Sequence, residues 1–216
     1  MNIRLSAAGL LLSVVFFMSG CGVLTTYSAI YTMNLSEVER PANASDRYGE
    51  PTISSTSEVT GKSTVTKFSF EDELIQILWN PAPSAFYFEV TNKTEHSMKI
   101  IWDEATFVFP NGNSGRIMHS GIKFSQKDAP QPPTVIARGA RISDLVYPTS
   151  LAVLGEKGWV EKPIYTTSSM LEPVLINIKQ ELVGKSYQVL LPFEIQGTVN
   201  EYMFTFKVED ITVQQN

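Results

Sequence analysis

One cysteine and two histidines in 216 residues leave little material for several kinds of chemistry. A lone thiol forms no disulfide within its own chain, and two histidines without further cysteines give no zinc-ligand spacing. Basic runs are missing as well. No Lys/Arg cluster interrupts a composition of 17 Lys and Arg against 22 Asp and Glu, which argues against a surface that tracks nucleic-acid phosphates. There is no glycine-flanked serine elbow and no calcium-loop pattern, and "NGNSGR" from Asn111 lacks the lysine and following helix of a phosphate loop. Fixed-length repeats and convincing amphipathic helices are lacking too. What remains is 43 % hydrophobic and 18 % charged, a balance that suits one folded domain better than a disordered chain.

The start of the chain is different. "MNIRLSAAGLLLSVVFFMSG" places Arg4 before a mostly apolar stretch and small residues before Cys21, which is the layout of a secretory signal. From Leu5 the apolar run is about sixteen residues long and carries serines and a glycine, short for a permanent bilayer span. Met18, Ser19 and Gly20 followed by Cys21 resemble the lipobox of bacterial lipoproteins. That resemblance implies a diacylglycerol on the Cys21 thiol, cleavage before Cys21, and a mature protein held in the membrane by its lipid. Gly22 stands where an aspartate would imply inner-membrane retention, so the resemblance implies the outer membrane in a two-membrane host. The rival readings are a transmembrane anchor and an apolar filler in the signal helix. Cleavage removes only Arg4 among the charged residues, leaving 16 Lys and Arg against 22 Asp and Glu, a net charge of −6.

Residues 21–62 read as a lipidated N-terminus and polar tether, because "PTISSTSEVTGKSTVT" from Pro51 holds nine Ser or Thr in sixteen residues. Two alternatives stay open. "LTTYSAIYTMNLSEV" from Leu24 suits a short helix or strand lying on the domain, and the Thr-rich part suits an edge strand.

From residue 63 to 216 the period becomes two. Phe68 and Phe70, the "LIQILW" segment from Leu74, and Phe86, Phe88 and Val90 offer alternating faces to a sheet, with "EDE" at 71–73 as a turn or exposed break. In "SMKIIWDEATFVF", Met98, Ile100 and Trp102 share one parity and Ala105, Phe107 and Phe109 the other. A β-bulge at Asp103 and Glu104, or a break into two strands, reconciles them. "VLGEKGWVEKPIY" suggests a hairpin or excursion carrying Trp159. Tyr187 to Ile195 and Tyr202 to Val208 alternate clearly, and "QGTVNE" between them predicts a tight reversal that pairs them antiparallel. Pro192 needs an edge or a bulge. Eight to ten short strands predict an all-β domain, an antiparallel β-sandwich of immunoglobulin-like type with Trp102 in its core; a jelly roll or partly closed barrel is the competing geometry.

Catalytic candidates are few. His96 sits in the polar turn "NKTEHS". His119 has Ser120 beside it, but adjacent strand residues face opposite sides. Asp103 and Glu104 suit the support of a bulge better than an acid and base pair, and Asp144 suits a structural partner such as Arg141. The polar set worth inspecting is therefore His119, Asp103 and Asp144, with no catalytic, metal-binding or cofactor-binding residue assigned. Two function classes follow. The first is a membrane-anchored envelope lipoprotein that serves as a structural or protein-binding module, its partner another envelope protein met at "DAPQPPT", at Trp159 or at an edge strand. The second is an envelope hydrolase or small-ligand carrier with a pocket in the β domain, distinguished by whether polar side chains converge in a cleft. Neither class calls for nucleic acid.

Overall fold

The computed structural model describes residues 25–42, 48–60 and 63–216, so the expected signal segment and Cys21 lie outside the described residues. In chain order the strands are β1 (Tyr27–Glu39), β2 (Thr52–Thr60), β3 (Ser63–Glu71), β4 (Ile75–Pro81), β5 (Phe86–Asn92), β6 (Met98–Ile100), β7 (Thr106–Val108) and β8 (Ser114–Met118). They continue with β9 (Thr134–Ile136), β10 (Arg141–Pro148), β11 (Ala152–Gly155), β12 (Gly158–Glu161), β13 (Ser168–Ser169), helix α1 (Glu172–Leu182), β14 (Ser186–Ile195) and β15 (Thr198–Gln215).

The all-β antiparallel architecture expected from the alternating segments is present. The main sheet follows the path β13-β1-β15-β14-β7-β8-β10-β5-β4-β3-β2, with β6 paired to β14 and β9 to β6, while β11 and β12 form a separate two-stranded sheet. The path folds over at β8, whose Ser114, Gly115 and Arg116 pair with β7 while Ile117 and Met118 pair with β10. One strand thus serves two layers, as at the corners of sandwiches. The layers meet through aromatic rings: Trp79 of β4 lies 5.2 Å from Phe204 and 5.4 Å from Phe206, and Phe86 of β5 lies 5.2 Å from Phe206. Each such pair adds about 0.5–1.5 kcal/mol beyond the area it buries. Immunoglobulin-like detail is not confirmed by this strand order.

Several local expectations resolve in physical terms. The conflict of parity around Asp103 is met by a break: β6 ends at Ile100, β7 starts at Thr106, and a turn closed by Glu104 N–H to Ile101 O and Ala105 N–H to Trp102 O lies between. Trp102, Ala105 and Phe107 all point inward as a result. Pro192 is not on an edge strand but in β14, opposite that same break, between the residues that pair with β7 and those that pair with β6. Its carbonyl accepts from Ile101 N–H at 3.0 Å, so the missing N–H falls on the side where the neighbouring ladder is interrupted. The β14–β15 reversal is a two-residue turn with Gln196 at φ 51° and Gly197 at φ 79°, the positive pair that a type I′ turn needs.

The tether is corrected by the pairing. Residues 27–39 form β1, bonded along β15 from Tyr27↔Gln215 to Glu39↔Met203, with Ala29 and Leu35 buried. Residues 52–60 form β2, an outer strand paired with β3 throughout. Polar composition led to the tether reading, but β1 carries a period of two in Ala29, Tyr31, Met33 and Leu35, and β2 needs no apolar face because its exposed residues only extend the ladder. Among the described residues the sheet therefore starts at Tyr27, well before residue 63.

At the far end of β1 a buried polar group ties layers together. The Asp72 carboxylate accepts Leu74 N–H at 2.9 Å, Ile75 N–H at 3.0 Å and the Tyr202 hydroxyl at 2.8 Å, with Arg40 Nη1 at 3.8 Å. Nearby, Tyr48 donates to Asn200 Oδ1 at 2.8 Å. The "EDE" turn is thus no exposed break, since its middle carboxylate faces inward.

Candidate functional site

Two of the three inspected polar residues meet. His119 follows β8 and Asp144 lies in β10, and the pairing of these strands brings His119 Nδ1 to 3.2 Å from Asp144 Oδ2. Because an ionised carboxylate only accepts, Nδ1 carries the proton. Asp144 Oδ1 also accepts Ser120 N–H at 2.9 Å and Leu145 N–H at 2.8 Å. The His119 ring stacks on Trp102 at 4.2 Å and 5°, and Trp102 donates to Thr134 Oγ1 at 2.8 Å. The side chains of His119 and Asp144 are 12 % and 7 % exposed, and His119 Nε2 is sealed from solvent with no hydrogen-bond partner among the described residues.

That last fact bears on what His119 can do in this arrangement. A histidine base must aim its free nitrogen at a nucleophile or a substrate, whereas here it is covered. Ser120 bonds the carboxylate rather than the imidazole. Asp103 stands apart from the pair: it bonds Arg116 and accepts Gln131 N–H at 3.0 Å, which ties the β6–β7 turn to the loop before β9. Glu104 and His96 are exposed. Arg141, expected near Asp144, instead faces Glu89 at 3.3 Å, since residues 141 and 144 have opposite parity in β10. Among the described residues no group of three His, Cys, Asp or Glu could hold a metal ion, and no helix is long and apolar enough to cross a membrane.

Burial alone would push the Asp144 carboxyl up, but hydrogen bonds from His119, Ser120 and Leu145 outweigh it and hold the group below the ordinary carboxylate range. A lowered folded value gives stability that is present above the unfolded value of about 3.9 and is lost as pH falls through the folded one. Asp144→Asn is therefore expected to cost about 1.5–3 kcal/mol near neutrality. The gap between variant and parent in urea unfolding should shrink once the pH drops below about 4. A pH-independent gap would reject this account of the carboxylate.

A larger concavity than the one beside His119 lies elsewhere. A cleft of about 550 Å³ lies between β1 and the β3–β4 layer, lined by Ile30, Tyr31 and Met33 on one side and by Val65, Phe68 and Pro81 on the other, with Tyr165 among its further walls. A volume of 300–1,000 Å³ is usual for small-molecule sites. The Tyr31 and Tyr165 rings lie 4.4 Å apart, tilted by 44°, and their hydroxyls donate to Thr166 O at 3.1 Å and to Pro81 O at 3.2 Å. Burial pushes the Tyr31 phenol up to about 12 and raises Tyr165 further, so both remain neutral donors.

One wall of this cleft is a strand edge. β13 covers β1 only at Tyr27 and Ser28, and Ala29 N–H reaches Thr167 O at 2.8 Å. Beyond Ala29, no described strand pairs with that edge of β1. Backbone donors alternate in direction along a strand, so the N–H groups of Tyr31 and Met33 point the same way as that of Ala29. The reading of residues 21–62 as a tether hid this edge; its signal was the alternation in "YSAIYTMNL". No family model, no curated protein and no solved structure matches the chain.

Proposed function

We propose that the protein is a bacterial envelope lipoprotein, acylated on Cys21, whose β domain acts by binding another envelope protein rather than by catalysis. The observation that carries the binding reading is the edge of β1 beyond Ala29, which no described strand pairs, beside a largely apolar cleft. Such an edge accepts a strand from outside through main-chain hydrogen bonds, while a neighbouring pocket receives alternate side chains. The sealed Nε2 of His119 supports the non-catalytic side of the proposal. Gly22 after the lipidated cysteine favours the outer membrane. A second reading, a carrier of a small apolar molecule, is favoured by the volume and lining of the same cleft.

The anchor is tested by Cys21→Ala, which should lose incorporation of a palmitate analogue and move the protein from the membrane to the soluble fraction. Retained labelling rejects acylation at Cys21. The binding site is tested with a photo-crosslinking residue at Ile30, in the cleft, and another at Val199, at the opposite end of β15. A discrete protein adduct at Ile30 alone supports strand addition. Recovery of a bound small molecule with no protein adduct supports the carrier.

A further inference from the structure

The correction of the tether changes where the domain stands. Four residue steps separate Cys21 from Thr25 and six separate it from Tyr27, the first residue of β1. An extended chain covers at most about 3.6 Å per residue, so β1 starts within about 22 Å of Cys21. Whatever lies beside the start of β1 is held at the membrane surface by an acylated Cys21.

What lies there is apolar. Tyr27 pairs with Ser169 and Ser28 with Ser168, and the residues directly after β13 are Met170 and Leu171, 61 % and 63 % exposed. Val174, three residues after Leu171 and in the first turn of α1, is 41 % exposed. The patch is rigidly presented: Leu171 N–H bonds Ser169 Oγ at 3.0 Å, Pro173 sits in the first turn of α1, and Leu175 behind it is fully buried. Asn216 lies at the same place, its N–H bonded to Thr26 O at 2.9 Å. An exposed cluster of Met, Leu and Val is costly in water, and shallow burial at the boundary of headgroups and acyl chains removes that cost. Glu172 beside it limits insertion to this boundary.

We infer that Met170, Leu171 and Val174 form a membrane-contact face that seats the acylated domain on the lipid surface in one orientation, an inference that rests on acylation of Cys21. The β14–β15 turn then points away from the membrane, because β15 runs 18 residues from that turn to the pairing of Gln215 with Tyr27. Attraction to anionic lipid has no part in it, since the mature chain carries 16 Lys and Arg against 22 Asp and Glu.

The test uses the full acylated chain in vesicles of phosphatidylethanolamine with a minority of phosphatidylglycerol. Cys21 being the sole native cysteine, with its thiol consumed by the lipid, Val174→Cys and Val199→Cys each take a single nitroxide label. The label at 174 should be several-fold more accessible to oxygen than to an aqueous nickel complex, and the label at 199 should show the reverse. Adding Met170→Asp and Leu171→Asp should return the label at 174 to water while the protein stays bound through its acyl chains; both positions are exposed, so the melting temperature should hold. Equal aqueous exposure at 174 and 199 in acylated, vesicle-bound protein overturns the contact face and leaves the anchor standing. Dipolar broadening between labels at 174 puts a second copy there and overturns it as well. A parent chain that takes up no palmitate analogue overturns both the face and the anchored reading.

Discussion

Deletion of residues 22–39 is expected to abolish cooperative unfolding, whereas deletion of residues 22–25 leaves the melting temperature unchanged. The short deletion stops before Thr26, whose carbonyl accepts from Asn216 N–H, and so spares every described strand. The long deletion takes away β1, which pairs with β15 over almost its full length and covers the core with Leu35 at 2 % exposure and Ala29 at 4 %. Behind β1 lie Phe206, Val208 and Ile211 of β15, all fully buried in the intact chain. Their exposure, with the freed ladder of β15, works against a net stability of only about 5–15 kcal/mol. Leu35→Ala isolates the packing part and should cost about 2–5 kcal/mol, read as a lower urea midpoint at unchanged slope. A melting curve that survives loss of 22–39 would restore the tether.

How legible the fold was depended on what each face carries. β14 and β15 place large residues at every second position, Tyr187, Val189, Leu191 and Phe193 against Tyr202, Phe204, Phe206 and Val208, so period and pairing were both readable. β1 uses the same period with a small Ala29 at one inward position and an exposed Ile30 beside it, which blurs the alternation. Helix α1 was missed for a related reason. Its "VLINI" run from Val174 buries Leu175 fully but leaves Val174 and Ile176 exposed, so the apolar stripe of a helix is masked, although Pro173 at its start and Gly184 at φ 85° after its end are boundary signals. The meeting of His119 with Asp144 depends on how β8 crosses from one layer to the other, a long-range fact with no local pattern. The cleft likewise exists only because β1 has joined the sheet.

The buried carboxylate was the least legible feature and has the largest expected effect of any single substitution. Three acidic residues in a row look like a solvated turn, yet the Asp72 side chain is fully buried, while that of Arg40 beside it is 9 % exposed. Asp72→Ala leaves two backbone N–H groups and the Tyr202 hydroxyl without their acceptor and removes a buried negative charge 3.8 Å from Arg40 Nη1. Breaking a buried charged pair from one side costs about 3–5 kcal/mol. Tyr202→Phe removes only the phenol, whose ionisation is opposed by burial first and by the Asp72 charge second, and should cost about 1–3 kcal/mol. Asp72→Asn keeps an oxygen for the backbone donors and should fall between the two. The double variant Asp72→Ala with Tyr202→Phe should be less damaging than the sum of the single ones, because each removes a partner the other needs. Additive losses in urea unfolding, or an Asp72→Ala cost below about 1 kcal/mol, would show that the carboxylate does not hold β4 and β15 together.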